Sequence, residues 1–286
     1  MTQIVALENF GLVAQGATIS LVVAPGQSLA IVGPAASGKS RFVQCVAGAE
    51  KPAQGVVHVL ARPAIAGRSG FAKRSKPQTI FRHSLNGGKA THVAEALTAC
   101  GLWELRKTPI AQLTPSQVTA CELLPCLGVD SRLLVIDGQL DRLDPWTLNS
   151  VLEVLRKRTA LGAAVVAVTN RPELLSQFDL VVVLDAMRPL YAGSVDGLLS
   201  KGPKAQIEVE SKMQQGVRAM VEPFRVNVEQ QQGRVLYQAT NGQELAAKLL
   251  MEGYGDVEFV VVRESTAEQA LLQLARGSRG LRAVKR

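Results

Sequence analysis

One short segment constrains the fold of this chain more than any other. The residues Gly33-Pro34-Ala35-Ala36-Ser37-Gly38-Lys39-Ser40 fit the pattern G-x-x-x-x-G-K-[ST] at every fixed position. An apolar, strand-like run (residues 28–32, SLAIV) precedes the segment, and residues 38–48 have a helical pattern. Glycines let backbone N–H groups converge on phosphate oxygens, and the start of a helix adds partial positive charge. The segment therefore predicts a phosphate-binding loop between a strand and a helix.

The loop and an aspartate at the end of a later strand together predict a site for a nucleotide and Mg²⁺. Lys39 would reach the β and γ phosphates, and Ser40 would bind the metal ion. Asp137 ends the apolar run 132–137 (RLLVID), where a second metal ligand belongs. A glycine-rich turn that binds nothing, and an ordinary strand-terminal aspartate, are the alternatives. The predicted nucleotide-binding residues are Gly33, Pro34, Ala35, Ala36, Ser37, Gly38, Lys39, Ser40 and Arg41.

Strand-like and helix-like segments alternate as far as about residue 200. Residues 163–169 and 180–184 are apolar runs typical of buried strands, and residues 145–161 have helical periodicity, with Gly162 as the stop. This alternation predicts an α/β domain with a largely parallel sheet over residues 1–202.

The pattern changes after Lys201-Gly202-Pro203. Apolar and charged residues then alternate in strand-like segments, and if residues 212–221 are helical the element order is βαββαβ plus a last helix. That order predicts a small ferredoxin-like α+β module over residues 203–286. Asn241 with Glu244, and Ser265 with Glu268, have capping-box spacing before their helices. Residues 279–286 are expected to form a frayed basic tail.

The net charge of +8 comes from one segment. Residues 51–94 contain no acidic residue, so the rest of the chain is balanced. This basic segment predicts an exposed surface that faces solvent, acidic loops or anionic lipid head groups. Its basic residues are Lys51, Arg62, Arg68, Lys73, Arg74, Lys76, Arg82 and Lys89.

Several classes of protein are disfavoured by composition. Aromatic residues make up 4% of the chain, which argues against a base-stacking platform for single-stranded nucleic acid. No apolar run approaches the roughly 18 residues of a membrane-spanning helix. The first ten residues lack a basic region and contain Glu8, so a secretory signal is not expected. The four cysteines lack C-x-x-C spacing, which favours reduced, buried thiols over a metal site.

With these residues in place, the chain resembles the nucleotide-binding subunit of an ABC transporter over roughly residues 3–200. The resemblance implies ATP or ADP with Mg²⁺ as cofactors and makes Gln78 a third metal-site residue. It also implies membrane-spanning permease subunits and a second nucleotide-binding subunit as partners. The other matching motifs are residues 23–27 (VAPGQ) before the loop, Gln78 in residues 77–81 (PQTIF) for the Q-loop, residues 113–117 (LTPSQ) for the signature, residues 140–145 (LDRLDP) for the D-loop, and residues 168–170 (VTN) for the switch.

The chain departs from the family pattern at the catalytic positions. Gly138 stands where the family has its catalytic glutamate, and Asn170 stands where it has the switch histidine. Pro115 removes one N–H from the signature. The adenine-stacking aromatic is missing near Val13, with Phe10 a poor substitute. These departures predict a subunit that binds ATP and Mg²⁺ with little or no hydrolysis, and they leave its status as an enzyme uncertain.

The resemblance extends, more weakly, to the second module. Residues 205–276 are similar to the C-terminal module of ATPases of ABC-2-type exporters. The expected location is the cytoplasm, on the inner face of the cell membrane. The alternative is a nucleic-acid-associated protein that uses the basic segment, although DNA-repair relatives carry insertions that this chain lacks. An active kinase or GTPase would need a base-recognition motif such as N-K-x-D, which is not found.

Overall fold

The computed structural model describes residues 3–67, 71–84, 92–202, 205–211, 221, 227–231, 234–239, 242–252 and 257–283. The chain divides into two compact units, Met1–Val195 and Asp196–Arg286. This division precedes the domain boundary predicted after residue 202. Within the described ranges, no helix is both long enough and apolar enough to cross a membrane.

The first unit contains two sheets. The larger has the strand order β5-β6-β7-β3-β8-β9, and its neighbours run parallel except for the antiparallel pair β8 and β9. The smaller is antiparallel, in the order β2-β1-β4. In chain order the strands are β1 (Val5–Gly11), β2 (Ile19–Val23), β3 (Ser28–Val32), β4 (Gln54–Val59), β5 (Pro63–Ile65), β6 (Leu133–Asp137), β7 (Ala164–Val168), β8 (Leu180–Asp185) and β9 (Arg188–Ser194).

The central strands are buried on both faces, as their continuous apolar sequences predict. Every residue of β3 and β7 is buried, and in β6 only the terminal Asp137 is partly exposed. The predicted α/β class with a largely parallel sheet is confirmed. Because β3, β6, β7 and β8 are parallel, their carboxyl ends lie at one edge of the sheet, and the loops that follow them meet there.

Helices flank this sheet and connect its strands. The longest, α5, begins at Pro145 and has Asp144 as its N-cap. Gly162 follows its end with φ of +92°, a conformation that favours glycine, so the predicted stop is confirmed. The helices of the first unit are α1 (Lys39–Val46), α2 (Pro77–Ser84), α3 (Val93–Ala99), α4 (Pro115–Leu127) and α5 (Pro145–Ala160), and short 3-10 helices span Ile110–Gln112, Leu140–Arg142 and Pro172–Gln177. Helix α6 (Val195–Leu199) begins at the last residue of this unit.

Phe10 belongs to the core and not to a nucleotide site. Its side chain is 2% exposed, and its ring meets that of Phe42 edge to face at 4.8 Å between centroids. Phe42 lies on α1, so this contact joins the smaller sheet to the helix that follows the phosphate-binding loop. Phe10 therefore cannot present a ring face to a base, in line with the expectation that it is a poor substitute for a stacking aromatic.

The second unit contains an antiparallel sheet with the order β11-β12-β10-β13. Ile207, Tyr237 and Leu245 are among the buried residues of its small core. The helix expected over residues 212–221 lies, apart from Val221, outside the described residues, so the ferredoxin-like module stays a prediction. The elements are β10 (Ala205–Ser211), β11 (Asn227–Gln231), β12 (Arg234–Ala239), α7 (Gly242–Glu252), β13 (Val257–Arg263) and α8 (Ala267–Ala283).

Two expectations about the last helix are wrong. The capping box joins Thr266 to Gln269, through N···O distances of 3.3 and 3.1 Å, and not Ser265 to Glu268. The helix also continues to Ala283, so residues 279–283 of the expected frayed tail are helical. Asn241, the other expected cap, lies outside the described residues.

The four cysteines are buried and carry free thiols. Burial is the main reason that the pKa values of Cys121 and Cys126 rise to about 12. These thiols are therefore protonated at neutral pH and behave as small apolar side chains of the core.

A buried ion pair joins α4 to the segment after β6. The Glu122 side chain is 1% exposed, and one of its carboxylate oxygens lies 2.6 Å from a guanidinium nitrogen of Arg142, which is half exposed. A carboxylate in this position needs its partner, because removal of the guanidinium leaves a buried charge with less compensation.

We expect Arg142→Ala to lower the free energy of unfolding by about 1–3 kcal/mol. The matched control is Arg171→Ala, because the Glu173 partner of Arg171 is 61% exposed and water replaces the lost contact. The control should change the free energy by less than about 0.5 kcal/mol. Urea denaturation measures both, and equal losses would contradict the role assigned to the Glu122–Arg142 pair.

Candidate functional site

The phosphate-binding loop is held close to the end of β8. A Cβ at Gly33 would lie 2.1 Å from the carbonyl oxygen of Leu184 and 2.7 Å from Ser37 Oγ, so only glycine fits there. Gly38 has φ of +99° and is the N-cap of α1. The loop thus requires glycine at both fixed positions of the motif, once for close approach and once for a left-handed backbone.

Lys39 is folded back onto its own loop. Its Nζ donates to Gly33 O at 2.7 Å and to Pro34 O at 2.6 Å, and the residue is only 9% exposed. Burial lowers the pKa of Lys39, and the nearby Asp141 and Asp137 carboxylates partly oppose this effect. The ammonium is therefore ready to exchange carbonyl oxygens for phosphate oxygens with little movement.

Ser40 and Asp137 meet, although 97 residues separate them in the chain. Ser40 Oγ donates to Asp137 Oδ1 at 3.0 Å. A hydroxyl and a carboxylate beside a phosphate loop are the oxygen donors that Mg²⁺ prefers. The residues present therefore fit a nucleotide with Mg²⁺: the loop amides and Lys39 would hold phosphate, and Ser40 and Asp137 would hold the metal.

The positions of Gln78 and Arg41 give less direct support for a nucleotide and metal site. Gln78 is exposed on the first turn of α2, and its backbone N–H donates to Arg106 O at 3.1 Å. No contact in the described part of the chain joins its side chain to Ser40 or Asp137. The Arg41 guanidinium binds Glu50 at 3.1 Å and Leu12 O at 2.9 Å, so its side chain braces the residues around the loop.

The residues after Asp137 form a tight polar turn. Gly138 has φ of +86°, in the left-handed region. The buried Gln139 accepts from Asp137 N at 2.8 Å and donates to Gly67 O at 2.9 Å. Sequence reasoning missed Gln139, because its partner Gly67 lies far away in the chain and no motif marks it.

The D-loop segment is tied to the switch segment. The Asp141 carboxylate accepts from Thr169 Oγ1 at 2.5 Å and from Asn170 N at 2.7 Å. Thr169 is fully buried and also accepts from Arg171 N at 3.0 Å. The positions aligned with the lost histidine and with the D-loop are therefore in contact, through backbone and hydroxyl groups and not through a titratable side chain.

The segment aligned with the signature is the start of α4. Thr114 is its N-cap in a capping box with Gln117, and Pro115 occupies the first turn. Ser116 Oγ donates to Asp144 Oδ2 at 3.0 Å. Hydrogen bonds, above all that from the Thr147 backbone N–H, hold the pKa of Asp144 below its usual value. A negative charge therefore lies at a helix N-terminus that would otherwise attract anions.

The turn between β8 and β9 also supports the phosphate-binding loop. Met187 N donates to Ser37 O at 2.9 Å. Ala186 and Met187 have φ of +47° and +62°, the left-handed pair of a two-residue hairpin turn. The sequence contains no Asn-Gly or Asp-Gly signal at this turn, so sequence reasoning could not have found the contact.

The basic segment is described in part. Lys51, Arg62, Lys73 and Arg74 are exposed and Lys76 is partly exposed. Arg68 and Lys89 lie outside the described residues, as does the side chain of Arg82.

Comparison with known proteins agrees with this site. Residues 17–140 match the family model "ABC transporter". A relative, the methionine import ATP-binding protein MetN of Haemophilus influenzae (strain 86-028NP), is 27% identical over 235 residues, which cover 73% of this chain and 68% of that protein. Across several MetN proteins the matched share of the relative is 52% to 68%.

Two solved structures share the fold. One, an ATP-binding subunit of an ABC transporter, has a TM-score of 0.60 at 16% identity and covers 69% of this chain and 92% of that one. The other, the ADP conformation of an ATP-binding cassette, has a TM-score of 0.56 at 16% identity and covers 69% and 93%. Proteins of this family bind ATP or ADP with Mg²⁺. Together with the geometry of the loop, these likenesses support the resemblance of the chain to ATP-binding subunits of ABC transporters.

Proposed function

We propose that this chain binds ATP or ADP with Mg²⁺ in an ABC transporter-like membrane assembly and hydrolyses ATP slowly or not at all. The observation that carries nucleotide binding is the Ser40–Asp137 contact of 3.0 Å beside the phosphate-binding loop. It supplies two oxygen donors for the metal next to the Lys39 ammonium.

Weak hydrolysis is supported first by the residues after Asp137. Gly138 offers no carboxylate, and loss of a positioned general base typically lowers a rate by about 10²- to 10⁴-fold. The φ of +86° at this position also disfavours any residue with a side chain, although a Cβ there would meet no atom within 4 Å. A glutamate at this position would therefore be strained by the present backbone, although there is space for its side chain.

The start of α4 gives a second, independent support. In a head-to-tail pair of nucleotide-binding subunits, this helix start would face the nucleotide held by the partner. Pro115 lacks an N–H, and the ionised Asp144 lies against Ser116. Both features weaken the attraction of the segment for a phosphate.

The proposed partners are membrane-spanning permease subunits and a second nucleotide-binding subunit. A competent paralogue as the second subunit would supply most of the hydrolysis by the assembly, and pairing with a second copy is the alternative. The proposed location is peripheral, on the inner face of the cell membrane, with the exposed part of the basic segment as the docking surface.

The first expected result concerns nucleotide binding. Isothermal calorimetry with Mg²⁺ should detect binding of ATP or ADP, and Lys39→Ala should abolish it, because the cation nearest the phosphates is lost. Arg171→Ala is a suitable control, since its guanidinium binds Glu173 on the surface. Absence of binding at millimolar ATP would show that the loop has no nucleotide function.

The second expected result concerns catalysis. The isolated chain should hydrolyse ATP at a rate no greater than that of Lys39→Ala. Gly138→Glu should restore little, because the new residue must adopt an unfavourable φ and the water-positioning histidine is still missing. Gly138→Ala is the matched control for backbone strain. A steady-state turnover of about 1 s⁻¹ that is abolished by Lys39→Ala would refute the proposal that the chain hydrolyses ATP slowly or not at all.

The third expected result concerns docking to the membrane. The triple change Lys73→Glu, Arg74→Glu and Lys76→Glu should release the protein from membranes without lowering its unfolding midpoint, because it reverses charges at the surface. The control reverses two exposed charges on another element, Arg156→Glu and Lys157→Glu on α5, and should leave membrane association unchanged. Co-sedimentation with anionic vesicles measures both variants. Membrane association that survives the triple change would show that these residues are ordinary surface.

A further inference from the structure

Asp141 is the residue of the site whose charge the family resemblance does not explain. It lies on the short 3-10 helix Leu140–Arg142, directly after the turn that follows β6. Both oxygens of its carboxylate accept hydrogen bonds from the switch segment, one from Thr169 Oγ1 and one from Asn170 N. Two bonds to two oxygens fix the orientation of the carboxylate, so its charge cannot swing away from the site.

The hydrogen-bond partners of Asp141 do not neutralise it. A hydroxyl and a backbone N–H are both neutral donors, and no ion pair of Asp141 occurs among the described residues. Asp137 differs, because its carboxylate lies against Ser40 where the metal would bind. Asp141 therefore places a negative charge that has no ion-pair partner among the described residues at the edge of the sheet where the phosphate chain would lie.

This charge acts on Lys39. Hydrogen bonds place it near the phosphate-binding loop, because Thr169, whose hydroxyl donates to Asp141, also donates its backbone N–H to Ile31 O at 3.1 Å, two residues before Gly33. From this position the carboxylate opposes the lowering of the Lys39 pKa that burial causes. The carboxylate is thus an electrostatic neighbour of the group that would reach the β and γ phosphates.

We propose that Asp141 is a specificity-determining residue that disfavours a nucleoside triphosphate relative to a nucleoside diphosphate in this site. The inference rests on the proposed nucleotide binding. The γ phosphate adds one further negative charge, and like charges in a partly buried site repel each other. At an effective dielectric constant of about 20 and a separation of roughly 10 Å, the repulsion is worth roughly tenfold in affinity.

The test measures a ratio of affinities in the full chain. Calorimetry with Mg²⁺ gives the dissociation constants of ADP and of a non-hydrolysable ATP analogue. Asp141→Asn, which removes the charge and keeps the side-chain shape, should shift the ratio toward the triphosphate by roughly tenfold. Because both constants come from one preparation, a lower folded fraction cancels in the ratio.

Two further variants separate charge from structure. Asp130→Asn removes one negative charge from an exposed residue before β6, at the end of the strand opposite to Asp137, and should leave the ratio unchanged. Asp141→Ala removes the charge and both hydrogen bonds, and it should shift the ratio as far as Asp141→Asn does. A shift with alanine alone would assign the effect to the lost hydrogen bonds and overturn the proposal.

The outcomes also separate this inference from the proposed function. If the unaltered chain binds both nucleotides and Asp141→Asn moves the ratio by less than about twofold, nucleotide binding stands and the role of Asp141 is wrong. If the unaltered chain binds neither nucleotide, both proposals are overturned.

Discussion

The close approach of Gly33 to Leu184 is the constraint on which the site depends. A side chain at Gly33 would collide with the backbone of β8, so the loop can leave β3 in this direction only because the residue is glycine. The same approach brings Ser37 into reach of Met187, whose N–H donates to Ser37 O. Two neighbouring strands therefore hold the loop before any ligand binds, which reduces the conformational entropy that binding would have to remove.

The segment after β6 links this loop to the rest of the first unit. Each of its polar residues contacts a different part of the chain: Gln139 contacts Gly67, Asp141 the switch segment, and Arg142 the buried Glu122. Asp144 completes the set by capping α5 and receiving the Ser116 hydroxyl. A change in any one of these contacts would shift the carboxylates that face Lys39, because they all lie on one short stretch of backbone.

Binding and hydrolysis depend on different parts of this arrangement. Phosphate and metal would be held by the loop, Ser40 and Asp137, which are all present and correctly disposed. The family resemblance implies that activation of water depends on the position after Asp137 and on the switch, and here these are Gly138 and Asn170. The two functions can separate because the groups that bind phosphate are largely backbone amides, whereas the groups that activate water are side chains.

The sequence by itself determined the elements whose information is local. The loop, the buried strands β3, β6 and β7, and the limits of α5 follow from glycine spacing, continuous apolar runs and capping residues. The proposed metal ligands Ser40 and Asp137 were inferred from two short motifs. The contacts of Asp141, Gln139 and Met187 were not predictable, since each joins segments that are distant in the chain. Phe10 shows the same limit, because no local pattern in the sequence reveals that its ring packs on Phe42. Only the tertiary structure decided which side chains meet at the carboxyl edge of the sheet, because that depends on strand order and on the exact turn after each strand, and neither leaves a local pattern in the sequence.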